Sequence, residues 1–283
     1  MRSPSEMVLQ SFLSRCSPEK RKRLAHFLPE EERERLEKTI PLAHEISAEE
    51  FTNHAILEHV HWSWFIPTLK SYTPKEQKLF LVALSPTTAA SLGNALDLNP
   101  PFPEITETAR AYLRQILQTS LVTAKDRLLP LPYLPPSPLN ALLSMSKKEL
   151  THLIDLLSLF DLAGELRQIV ETKILKKIYS FLNDEERRYL KQVSSHKDPL
   201  STPRLNLERW DGTEDSLRLM LHRRGLNRLA VALSGQDPDL VWYVCHQLDI
   251  GRGNTLFHSL SKEAPLALTD GVVKQIEELI RGL

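Results

Sequence analysis

Cysteine is nearly missing from this chain of 283 residues: only Cys16 and Cys245 occur, far apart in sequence. That excludes a disulfide framework and any zinc cluster built on cysteines, and it fits a reducing compartment. Glycine is also scarce, at nine residues, which leaves little material for phosphate-cradling loops or tight hairpins. Net charge is absent, with 36 Lys plus Arg against 36 Asp plus Glu, so no overall field draws the chain to nucleic acid or to an anionic membrane. No apolar run reaches the ~20 residues of a membrane span, and Met1 to Arg15 lacks the charged region and apolar stretch of a secretory signal. A soluble, cytoplasmic protein without membrane insertion is the expectation.

What is present points to helix. Apolar residues recur at three- and four-residue spacing, as in Leu150, Leu153, Ile154 and Leu157, or Ile174, Ile178 and Phe181, and period-two strands are lacking. Helix starts are marked by Ser, Thr or Asn followed three residues later by Glu: Ser47 and Glu50, Thr73 and Glu76, Ser146 and Glu149, Asn183 and Glu186. An apolar helix end precedes most of these caps and an amphipathic helix follows. The expected fold is all-α, an irregular helix–turn–helix array or superhelical bundle in two halves.

Proline supplies the punctuation, because it fixes φ and cannot continue a helix. The stretches 99–103 and 129–138 are proline clusters, with one helix of about Glu104 to Leu128 expected between them. The boundaries read as an N-terminal helical domain over 1–129, a proline-rich connection over 130–138 and a C-terminal helical domain over 139–283. A polar stretch over 194–209, with Pro199 and Pro203, suggests a further division of the second domain.

Three clusters could carry chemistry. On a continuous helix, His54, Glu58 and His61 would share a face and offer two imidazoles and a carboxylate to zinc; the spacing is not that of a His-Glu-x-x-His protease, and an ordinary helix face with no metal is the expected reading. Gly251-Arg252-Gly253 resembles an anion loop, but the preceding strand and longer glycine spacing are missing; Gly251 is expected to end the helix carrying Val241 to Leu248, with Asn254 or Thr255 capping the next and Arg252 paired to Asp249 or Asp239. Arg223, Arg224 and Arg228, with Arg218 and His222, form a basic run without interleaved aromatics, which suits a protein-binding edge better than nucleic acid. Trp62, Trp64, Phe65 and the Trp242–Tyr243 pair belong to types enriched at interface hot spots. Serine elbows and Cys–His pairs with supporting motifs are not visible, and no catalytic residue or cofactor is expected.

The stretch from Leu221 to Trp242, a helix, a polar turn with Pro238 and a second helix, together with the units around Thr73, Ser146 and Asn183, resembles the superhelical modules of the flagellar switch protein FliG and the SctK-like helical adaptors of type III secretion sorting platforms. The resemblance implies a non-enzymatic cytoplasmic adaptor whose partners are other proteins of a secretion or flagellar-type apparatus. Its expected binding residues are Arg223, Arg224, Arg228, Arg252, Trp62 and Trp242. A secretion chaperone that holds exported proteins, or a zinc enzyme using His54, Glu58 and His61, would be the alternatives.

Overall fold

A computed structural model describes residues 9–10, 12–14, 16–37, 55–122, 128–195, 205, 207, 210–260 and 266–282. Among the described residues the regular elements are all helical, so the all-α expectation holds. The chain divides into two compact units, 1–136 and 137–283. The first carries α1 (Pro18–His26), α2 (Glu30–Glu37), α3 (Ala55–His59), a 3-10 turn at Trp62–Phe65, α4 (Ile66–Leu69), α5 (Pro74–Ala83), α6 (Pro86–Ala95) and α7 (Glu107–Leu121). The second carries a 3-10 turn at Pro138–Ser144, then α8 (Lys147–Leu166), α9 (Thr172–Phe181), α10 (Asp184–Val193), α11 (Glu214–Leu233), α12 (Pro238–Gln247), α13 (Ile250–His258) and α14 (Leu266–Gly282).

Capping explains where the helices begin. Thr73, Ser146 and Asn183 each close a capping box with the glutamate three residues on, which satisfies two of the amide groups that a helix N-terminus leaves open. The Ser47–Glu50 pair lies outside the described residues. The helix expected over Glu104 to Leu128 is shorter at both ends: Thr106 caps its start and Val122 turns extended after Leu121.

Helix ends are closed by a recurring device. Arg21 Nε donates to the Leu13 carbonyl, Arg33 Nε to Ala25, Gln77 Nε2 to Leu69 and Arg187 Nε to Tyr179, each spanning eight residues backwards. For Arg33, Gln77 and Arg187 the donor stands in the first turn or so of one helix and ties down a carbonyl at the end of the helix before it, where such groups lack intrahelical partners. The end of α5 is held from farther away, by Arg110 on Val82 and by Arg114 Nε on the Ala83 carbonyl at 2.6 Å.

The core of the second unit is built on α8. Residues Leu156 to Ala163 are buried on every side, the mark of a helix surrounded by others. Helix α11 crosses it at Gly225, where an added Cβ would stand 1.8 Å from the Ile154 carbonyl oxygen, so only glycine admits this approach. Helices α10, α12, α13 and α14 complete the cluster. Leu205 and Leu207, within the stretch expected to divide this half, are buried in that same core.

Candidate functional site

Arg228 corrects the expectation of an exposed basic edge. Arg223 is exposed and Arg224 half-buried, but Arg228 is only 1% exposed. Leu221, Gly225 and Arg228 fall at i, i+4 and i+7 on α11, the phase that turns the arginine into the core. There its Nη2 donates to Asp161 Oδ1 at 2.7 Å and its Nη1 to Gln275 Oε1 at 3.2 Å, with the guanidinium 5.2 Å from the centre of the Phe160 ring. Sequence signals for this were available. Asp161 is the lone acid in the apolar run Leu156 to Ala163, and a buried carboxylate calls for a cation.

Arg252 does sit at a helix junction and does pair with Asp249, at 2.7 Å. The capping scheme around it differs from expectation. Helix α12 stops at Gln247, Asp249 caps α13 by accepting from the Arg252 amide, and Gly251 lies inside that helix. An aspartate cap relieves glycine of any need for a left-handed turn here. Arg252 Nε also donates to His222 Nε2 at 2.9 Å, and His222 Nδ1 stands 2.7 Å from Asp155 Oδ1. Lys147 approaches Asp249 at 3.8 Å. Burial and the nearby Arg252 hold the lysine below its ordinary value against the pull of Asp249. Burial opposes ionisation of Asp249, but hydrogen bonds and charge from Arg252 outweigh it and hold the carboxyl low. The resulting chain Asp155–His222–Arg252–Asp249–Lys147 ties α8, α11 and α13 together and occupies both nitrogens of the histidine.

The aromatic candidates are placed unequally. Trp242 is half-buried and stacks on His246 with ring centres 3.8 Å apart, and Tyr243 beside it is buried. Burial lowers the His246 pKa to about 4 and pushes the neighbouring Cys245 thiol up to about 12. Trp62 and Trp64 are half-buried in the first unit, and Phe65 is fully enclosed. His54 lies outside the described residues. Helix α3 ends at His59, and His61 adopts an extended conformation as the cap of the next turn, its ring against Trp62. The continuous helix needed to align Glu58 and His61 is therefore interrupted. Glu58 accepts from Arg114 at 3.3 Å. Among the described residues, no three metal-ligating side chains gather into a cluster.

A feature that sequence reading missed is an open cleft of about 690 Å³ in the second unit, between α10 and α14 over the face of α8. Leu156, Phe160 and Leu279 give it an apolar floor, and Arg188, Lys274 and Glu278 stand on its charged rim. Tyr189 faces into it, and Gln275 in its wall is the residue that accepts from Arg228. Desolvation raises the Tyr189 pKa, with Glu278 adding to the shift. The amphipathic pattern of α10 signalled one buried face, but the gap between two nonadjacent helices has no signature in local sequence. No protein-family model matches the chain, and comparison with curated proteins and with solved structures finds no match.

Proposed function

We propose that this chain is a non-enzymatic, cytoplasmic helical adaptor of a type III secretion sorting platform or a flagellar-switch-like assembly. It acts by protein–protein contacts. The observation that supports this reading is the cleft between α10 and α14, whose apolar floor and charged rims suit an amphipathic helix laid into a groove. The rim charges set register and orientation, and the floor supplies the apolar burial. With two compact units on one chain, binding at one unit would hold a second partner near the other at high effective concentration.

Affinity purification from the native cell with identification of partners tests this, comparing wild type with Arg188→Glu/Lys274→Glu and with Arg223→Glu/Arg224→Glu. The adaptor reading expects components of a secretion or flagellar-type apparatus, with recovery falling about tenfold in the rim variant, as for loss of one or two interfacial charge pairs. Exported clients in their place would replace it with a chaperone reading, and no specific partner would overturn it.

A further inference from the structure

A ten-residue stretch occurs twice. Residues 27–36 read Phe-Leu-Pro-Glu-Glu-Glu-Arg-Glu-Arg-Leu and residues 181–190 read Phe-Leu-Asn-Asp-Glu-Glu-Arg-Arg-Tyr-Leu. The two match at Phe27/Phe181, Leu28/Leu182, Glu31/Glu185, Glu32/Glu186, Arg33/Arg187 and Leu36/Leu190. The structural elements correspond as well, since both stretches span a helix end, a turn and the next helix, α1–α2 in one unit and α9–α10 in the other. Arg33 and Arg187 make the same backward hydrogen bond, to Ala25 at 3.2 Å and to Tyr179 at 2.9 Å. The two stretches are thus alike in sequence and in local fold.

They differ in what covers them. In the second unit Ile178 and Leu182 are 0% and 2% exposed, and Phe181 packs edge-on to Trp210. Arg218 of α11 clamps the turn, donating Nη2 to the Phe181 carbonyl and Nη1 to the carboxylate of Glu186. In the first unit the equivalent positions are open: Phe27 is 83% exposed, Leu24 and Leu28 are half-buried, and Glu32, the counterpart of Glu186, is exposed. Among the described residues nothing pairs with Glu32. The first copy thus presents, among the described residues, the acceptor pair and the apolar residues of the turn with no counterpart of Arg218 or Trp210 upon them.

We infer that the turn of α1 and α2 docks an amphipathic helix of a partner protein that presents an arginine beside an apolar side chain, the chemistry that Arg218 and Trp210 supply to the second copy. The arginine bridges the Phe27 carbonyl and the Glu32 carboxylate, and the apolar side chain covers Phe27, as Trp210 covers Phe181. The acidic first turn of α2, with Glu30, Glu31 and Glu32, favours a cation at the position that Arg218 takes on the second copy. This surface is separate from the cleft of the second unit and does not depend on it.

The test uses the full chain and a helix-stapled peptide with the sequence of residues 214–224, labelled for fluorescence anisotropy. Binding is expected to fall about tenfold with Phe27→Ser or Glu32→Gln in the chain and by a similar factor with Arg218→Gln in the peptide, the usual weight of a charge-assisted contact. The charge exchange, Glu32→Arg in the chain against Arg218→Glu in the peptide, is expected to restore it. Phe27 and Glu32 are exposed, so circular dichroism of these variants should match wild type. No binding, or binding indifferent to Phe27 and Glu32, overturns the inference. So does concentration-dependent self-association lost on Phe27→Ser, which would make the occupant a second copy.

Discussion

Arg228 of α11 and Asp161 of α8 form an ion pair at 2.7 Å with side chains only 1% and 3% exposed. Each charge is tolerable only in the presence of the other. Arg228→Ala should therefore lower stability by about 3–5 kcal/mol, because a buried carboxylate is left behind. The double variant Arg228→Met/Asp161→Leu, which removes both charges and keeps the volume, should lie close to wild type. Urea titrations of the three proteins would show this, and equal losses in the single and double variants would mean that the pair contributes net stability.

Gly225 permits the closest approach of α8 and α11. Alanine there would place its Cβ 1.8 Å from a main-chain oxygen, which no rotamer change can relieve. Helices must separate, at a cost near or above the ~3 kcal/mol upper end of ordinary overpacking. Gly164, with nothing within 4 Å of where a Cβ would stand, is the control; alanine there should be neutral or mildly stabilising, since it stands within a helix. A thermal melt of each variant separates the two cases.

His246 makes stability depend on pH. Burial against Trp242 lowers its folded pKa from 6.5 to about 4, so the unfolded chain takes up its proton first as pH falls. The stabilisation is complete above pH 6.5 and is lost between there and about pH 4, by an amount on the order of 2–3 kcal/mol. His246→Gln should flatten this limb of the stability curve, measured by urea midpoints across the window. An unchanged slope would assign the acid sensitivity to other groups.

Much of the local order is legible in the sequence. Thr73, Ser146 and Asn183 can be read as caps because a capping box uses two residue types at fixed spacing. Arg228 is misplaced by any reading that counts an arginine as surface before considering its phase on the α11 stripe. Gly251 resembles a helix end, although Asp249 precedes it with a better capping side chain. The paired units at 27–36 and 181–190 escape a search by capping residue because Pro29 stands where Asn183 makes the cap, so such a search finds one copy and not the other. The cleft depends on helices that are distant in sequence, and only the packed fold brings them to either side of α8.

The adaptor reading stands or falls on hydrogen exchange, measured on the chain alone and in complex with its co-purified partner. Slowed exchange is expected over α10, residues 184–193, and over α14, residues 266–282, with the effect lost in Arg188→Glu/Lys274→Glu. Protection confined to other helices of the second unit, or a partner that leaves both cleft walls unchanged, would refute it.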